Sequence, residues 1–506
     1  MFKTRIAGPA AKGKGRGRAA AAAASGSSSS TRLPAQEPLR PVPHFYFDDF
    51  NLKHRARLLR CGGQVAQNTT LVGDASQEVA VAATRMQLAD PVAFDTRGGL
   101  GAEFRLCDSA ARHPRRTGDI THAEIVLLCP YLHYNNLLGR SPECDVPSLG
   151  GKGHTARMLP FSKQAKGTEA WARKVPHLFL TVNEFAAYSY HTNGSPFGKP
   201  SPHWVMHANQ DHFPTGVAPR PNHVMIPYMA SAALLDPAVR DRADAIANGS
   251  EVVQDPLLLF FRGTLSYGCQ PGGACPREKL RAAFIELNAT DVEFSGEQQH
   301  SLGQRRTTLD YSLRRKEQAS YVADMQRAVF CLAPSGHTCE TRRFYDAIAA
   351  GCIPITVDCE NNTYPFDERL DYTSFAAYYP MTEINTSPRR FLRCLRSLRN
   401  TPSFVRRMQQ GLKMARKQLG YGPLGGTSNE EHAQNDVSDY EGALEQLLVS
   451  AVTPNRHTPR RIDVRNGPAR LDHINTATDP PPLQQPRKGR NALDLRDACS
   501  IMHASA

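Results

Sequence analysis

Val329-Phe330-Cys331-Leu332-Ala333-Pro334 and Cys352-Ile353-Pro354-Ile355-Thr356-Val357 are apolar without alternation. A strand that is apolar at every position is buried on both faces, and a parallel sheet with helices on each side provides that. Between the two runs, Ser335-Gly336-His337 turns the chain and a helix reads from about Thr341 to Ala350. Gly351 then fits the left-handed position that ends a helix. The result is one βαβ unit with short connections, the building block of a parallel sheet.

The same grammar extends in both directions. Leu257-Leu258-Leu259-Phe260-Phe261-Arg262-Gly263 is another buried strand, and helices read over 277–287 and 318–328, the latter with Tyr321, Val322, Met325 and Ala328 at helical spacing. Upstream, strands read at 43–48, 123–130, 176–182, 204–207 and 223–227, and basic helices at 388–418 and 436–450. These runs divide the chain into an N-terminal α/β domain over 41–240 and a C-terminal α/β domain over 241–452. Residues 1–40 are low-complexity and 453–506 are rich in Pro and Arg, so both are expected to be disordered tails. No internal repeat is visible, and the halves share only α/β character.

Charge narrows the function classes. The net charge is +13, but residues 1–36 hold seven Lys/Arg and no acid, and residues 453–506 hold nine basic and five acidic side chains. The middle of the chain is therefore close to neutral, which argues against a dedicated nucleic-acid partner. No run of about 18 apolar residues occurs, so no membrane-spanning helix is encoded in this sequence. The Ala-, Ser- and Arg-rich start suits an organelle transit peptide in composition, and plain disorder equally well. Twelve cysteines contain no CxxC, so no zinc ribbon or redox motif is indicated. Cys269 and Cys275 flank a Gly-Gly loop and can be bridged, whereas Cys331 and Cys352, on apolar strands, read as reduced core residues. Sequons at Asn68, Asn193, Asn248, Asn288, Asn361 and Asn385 lean towards the secretory lumen.

Chemistry concentrates in Ser335 to Asp346, reading SGHTCETRRFYD. A Ser335-Gly336 turn ahead of a helix lets backbone N–H groups and the helix dipole meet a phosphate. Thr341 offers a hydroxyl from the first turn. Arg342 and Arg343 bring planar guanidinium forks suited to a diphosphate. Asp346, four residues beyond Arg342, suits either a ribose hydroxyl or the task of holding that arginine. The same pattern also describes an ordinary capped helix with an Arg–Asp pair. Arg262-Gly263 stands at a second strand end, and ligands in open α/β sheets bind outside the carboxyl ends of strands, so the two sites can face one crevice.

Three blocks, 330–336 (FCLAPSG), 341–348 (TRRFYDAI) and 350–354 (AGCIP), resemble the signature of exostosin-like glycosyltransferases (family 47). Their continuation, Tyr364-Pro365-Phe366-Asp367 with Leu370-Asp371-Tyr372, does too. Fainter echoes are Phe261-Arg262-Gly263, PHFYFDDFN at 43–51, HAEIVLLCPY at 122–131 and Ile226-Pro227-Tyr228. The resemblance implies a GT-B fold, two Rossmann-like domains facing across a cleft, with a nucleotide sugar (usually a UDP-sugar) on the C-terminal domain and a glycan acceptor on the other. It implies an inverting transfer in which Arg262, Arg342 and Arg343 stabilise the leaving diphosphate, with no permanently bound cofactor. It also implies residence in the Golgi lumen or association with its membrane, with a partner glycosyltransferase as a possible retention device. A non-catalytic relative that binds glycan or escorts an active transferase is the alternative. No Asp-x-Asp metal motif is present, Asp358-Cys359-Glu360 being the near miss, so no metal is expected to be required. An inverting displacement needs a general base, for which Glu184 and Asp211, next to His212, are the candidates.

Overall fold

The computed structural model describes residues 41–47, 100–129, 163, 165–180, 205–209, 223–263, 265, 276–296, 311–334, 341–357, 364–367, 369–421, 442–452 and 492–504. Two parallel sheets dominate. The first contains β1 (Phe45–Tyr46), β2 (Arg116–Thr117), β3 (Ile125–Leu128), β4 (His177–Leu180), β5 (Val205–Asn209) and β6 (His223–Met225), in the order β2-β1-β3-β4-β5-β6. The second contains β7 (Leu257–Arg262), β8 (Val292–Ser295), β9 (Ala328–Ala333), β10 (Ile353–Thr356), β11 (Ala377–Tyr378) and β12 (Leu493–Asp494), in the order β12-β11-β10-β9-β7-β8. Counted within its own half, each sheet runs 2-1-3-4-5-6, a likeness the two sequences do not betray. This two-sheet α/β arrangement is the one expected of a GT-B fold. Both sheets belong to one compact unit, Val42–Ala506, and Met1–Pro41 is the other unit.

The apolar runs are buried as their lack of alternation requires: β3, β4 and β10 are buried at every residue, and Leu258 to Phe261 of β7 are buried too. Removing a Leu or Phe side chain from water contributes about 1.5–3 kcal/mol, and Phe260, Phe261 and Phe330 are among the side chains so buried in the second sheet. Pro354 sits inside β10 without breaking it, because β11 pairs only from Ile355 onward. Strand β8, with half-buried residues throughout, escaped the sequence reading because it is short and mixed in polarity.

Helices cover the sheets: α1 (Leu100–Arg112), α2 (Glu169–Ala172), α3 (Pro237–Asn248), α4 (Pro276–Glu286), α5 (Tyr311–Arg327), α6 (Arg342–Ala350), α7 (Met381–Thr386), α8 (Pro388–Arg399), α9 (Pro402–Leu419), α10 (Gly442–Val452) and α11 (Leu495–Ala504). The basic segment at 388–418 is two helices, since Pro402 cannot continue α8 and instead opens α9 at a favoured first-turn position. Helix α10 returns to the first sheet and packs on α1, β3 and β6. The chain then returns to the second sheet, where β12 becomes its edge and α11 packs on α8. Residues 492–504 are therefore structured, contrary to the expected disordered tail; their apolar positions, Leu495 and Cys499, are buried.

Disulfides differ from expectation as well. Cys331 and Cys352 are bridged, closing the β9–α6–β10 unit, and are not reduced core residues. Their strands are hydrogen-bonded neighbours, which brings two core cysteines within bonding reach. Cys107–Cys129 ties α1 to the end of β3, and Cys394–Cys499 ties α8 to α11. Cys269 and Cys275 lie outside the described residues.

Gly351 occupies the left-handed region, with φ of 83°, and its N–H bonds Ile348 O at 3.3 Å while Cys352 N–H bonds Ala347 O at 3.0 Å. A Cβ there would stand 2.9 Å from Ala243 Cβ. Gly351→Ala is expected to lower stability by about 1–3 kcal/mol, read as a reduced midpoint in urea denaturation. His177 is buried, lies edge-on to Trp171 and holds its Nδ1 2.7 Å from Val175 O. Burial lowers its pKa from 6.5 to about 4. The unfolded chain therefore takes up the proton first, so this stability is complete above pH 6.5 and is lost as pH falls towards 4, about 3 kcal/mol in all. Melting profiles across that window should be flatter for His177→Gln than for the wild type.

Candidate functional site

The order of the second sheet reverses between β7 and β9, and the carboxyl ends of the strands at such a switch point are where doubly wound sheets hold ligands. Arg262 and Gly263 end β7, Pro334 follows β9, and α6 begins beside them at Arg342. Ser335 and Gly336, in the connection from β9 to α6, lie outside the described residues. So do the base candidates Glu184 and Asp211, and Asp358 to Glu360.

Thr341 is the N-cap residue of α6. Its backbone is extended, its carbonyl accepts the Phe344 N–H at 3.0 Å, and its hydroxyl makes no capping bond. The first turn of α6 contains no acid, so its helix dipole is not offset by a neighbouring carboxylate there.

Arg343 reaches from that turn across the end of β7. Its Nε donates to Arg262 O at 3.1 Å, and its guanidinium carbon stands 5.3 Å from the centre of the Phe261 ring. The position depends on Gly263: a Cβ there would fall 2.0 Å from Arg343 Nη2. Burial pulls the Arg343 pKa below its ordinary value, and Tyr321 and Asp346 oppose that shift. It remains a cation, since guanidinium groups do not lose their proton in proteins. Among the described residues no carboxylate lies within ion-pair distance of it.

Arg262 is placed differently from the sequence expectation. Its backbone serves Arg343, but its side chain turns to α5, where Nη2 contacts Asp324 Oδ2 at 2.8 Å and Nη1 donates to Ser320 Oγ at 3.0 Å. Nε donates to Ser295 Oγ at 3.3 Å, and Glu293 stands 3.8 Å away. With 31% of the side chain exposed, Arg262 is an ion-paired brace for β7, β8 and α5, and Arg343 holds the strand end. The partner Asp324 carried no motif in the sequence.

Asp346 is an interior residue. It is 1% exposed and accepts from Ser231 N–H at 2.7 Å, Ser231 Oγ at 3.0 Å and Tyr321 OH at 3.0 Å, with Arg342 Nε at 3.8 Å. Of the two roles read for it, holding Arg342 matches this geometry, and a ribose contact does not, because its oxygens face protein donors. Burial first, and the Asp346 carboxylate second, hold the Tyr321 phenol well above its ordinary pKa, so it acts as a donor. Ser231 was missed because it follows β6 without any motif, and Tyr321 because it reads as one more apolar position on a helix. Among the described residues no group of three or more His, Cys, Asp or Glu side chains could hold a metal ion.

Removing an acceptor from this buried cluster leaves donors unsatisfied. Asp346→Ala should therefore destabilise the fold by about 2–4 kcal/mol, and Tyr321→Phe by about 1 kcal/mol. Urea unfolding of the two variants measures both, and equal losses would contradict the placement of Asp346 at the centre of the cluster.

The family model for the exostosin GT47 domain matches residues 143–394, which include α6, β10 and both strand ends of the site. A probable glycosyltransferase of Arabidopsis thaliana is 34% identical over 64 residues, 13% of this chain and 13% of that protein. The probable glucuronosyltransferase GUT1 of Oryza sativa subsp. japonica is 36% identical over 59 residues, 12% of this chain and 14% of its own length. The probable xyloglucan galactosyltransferase GT12 of Arabidopsis thaliana is 38% identical over 61 residues, 12% of each chain. The aligned stretches thus span only a small part of these relatives. The domain match, the two parallel sheets and the arginine-bearing helix at the switch point agree: residues 143–394 of this chain carry the exostosin GT47 domain of a family of glycosyltransferases.

Proposed function

We propose that this protein is an inverting glycosyltransferase that moves a sugar from a UDP-sugar to a glycan acceptor. The observation that carries the reading is Arg343, a half-buried cation with no described carboxylate partner, held at the switch point beside the N-terminus of α6. Departure of a nucleoside diphosphate develops negative charge, and fixed donors aimed at that charge lower the barrier. Arg343 and the first-turn amides of α6 supply such donors, with Arg342 adjacent, and in this reading no metal is needed. The acceptor hydroxyl attacks the anomeric carbon from the face opposite the leaving UDP, and its proton passes to a base, for which Glu184 and Asp211 remain the candidates. Family relatives named as glucuronosyl- and galactosyltransferases support a cell-wall or extracellular polysaccharide as acceptor.

The three disulfides among the described residues fit an oxidising compartment. With the domain match, they support work in the Golgi lumen on glycans in transit, alone or beside a partner glycosyltransferase.

The test is a set of melting curves with UDP, GDP, CDP and ADP in EDTA, for the wild type, Arg343→Lys and Arg343→Ala. A nucleotide at a hundred times its dissociation constant stabilises by about 2.7 kcal/mol, a rise of several degrees. UDP should give that rise in the wild type, less in Arg343→Lys and none in Arg343→Ala. A folded wild type that answers to no nucleotide overturns the proposal.

A further inference from the structure

Three of the six sequons fall within the described residues, and the fold treats them differently. Asn248 is the last residue of α3, followed by Gly249 with φ of 76°, and the Asn248-Gly249-Ser250 sequon is exposed at all three positions. Asn288 follows α4 in the left-handed region, with φ of 47°, and its N–H bonds Ile285 O at 2.9 Å while Ala289 N–H bonds Phe284 O at 3.1 Å. Its side chain and that of Thr290 are exposed. Both asparagines therefore stand on helix-ending turns that project the amide outward. Asn385, inside α7, is half-buried and its Oδ1 is enclosed by protein. Attaching a sugar to Nδ2 needs room around the same planar amide, which an enclosed Oδ1 restricts.

Topology adds a second argument. Asn248 precedes β7 and Asn288 precedes β8, so both lie towards the N-terminal edge of the second sheet. The candidate donor site lies at the opposite, C-terminal edge, at Arg262, Gly263 and α6. Asn385 instead follows the carboxyl end of β11. Glycans at the first two positions would leave the candidate donor site open.

We infer that Asn248 and Asn288 carry N-linked glycans and that Asn385 does not. This rests on passage through the secretory route, as argued above, and not on the choice of UDP. The donor is a lipid-diphosphate oligosaccharide: a bond forms between the asparagine Nδ2 and the anomeric carbon, the bond from that carbon to the diphosphate oxygen breaks, the diphosphate leaves with its lipid, and the amide gives up one proton.

The full-length chain, routed through the secretory pathway of mammalian cells, is released from its glycans by an amidase in heavy-oxygen water and mapped by mass spectrometry. Heavy aspartate is expected at 248 and 288 and unlabelled asparagine at 385. Asn248→Gln and Asn288→Gln should each remove one glycan's mass. A non-reducing map of the same sample records the Cys331–Cys352 bridge, and a UDP melting curve records the donor site. Secreted, bridged protein with unmodified Asn248 and Asn288 overturns the inference, even where the UDP response is intact. A labelled Asn385 overturns the part that rests on its enclosed oxygen. Glycans in place without a UDP response would leave this inference standing and count against the proposed function alone.

Discussion

A parallel sheet must be covered on both faces, and the second half of this protein is organised around that requirement. Strands β7, β9 and β10 are apolar at nearly every residue, so helices have to cross over between them on both sides of the sheet. The crossovers leave strand ends aligned along one edge, and the reversal of strand order between β7 and β9 places a switch point on that edge. The position of the candidate donor site is thus a consequence of how the core is buried. The site residues refine a position that the packing has already set.

Helix α6 joins the two tasks. Phe344, Ile348 and Ala350 are buried in the core, while Arg342 and Arg343 stand in its first turn, the latter reaching the end of β7. One turn on, Asp346 accepts from Ser231 on the segment that leaves the first sheet after β6. Nearby, the Tyr421 hydroxyl donates to the carbonyl of Pro227 on the same segment. The crossing between the sheets is therefore held from the helix that bears the arginines and from the end of α9. A buried, fully partnered carboxylate adds little net stability, but it penalises other arrangements of the crossing, because each would leave its charge unsatisfied.

The later returns of the chain strengthen this arrangement. Helix α10 packs on the first sheet and β12 closes the edge of the second, so segments distant in sequence bind the halves into one unit. Cys394–Cys499 fixes the last of these returns to α8. Arg416, largely enclosed, pairs with Asp244 of α3 and donates to Ile348 O of α6, so the basic character of α9 is spent partly inside the fold.

The sequence by itself determined the element types and the parallel character of the sheets, because unbroken apolar runs and a helix-ending glycine are local signals whose physics does not depend on distant residues. It also identified α6 and the strand end at Arg262-Gly263, since a strand, a turn and a cationic helix start are adjacent in the chain. Only the tertiary structure decided which arginine is engaged by a carboxylate. Arg262 and Arg343 look alike as letters, but Asp324, 62 residues away, engages one of them, and Gly263 makes room for the other. It likewise decided that Asp346 is interior, that Cys331 and Cys352 are bonded, and that residues 492–504 are structured. Each of these depends on a partner brought close by folding, and no local pattern records who that partner is.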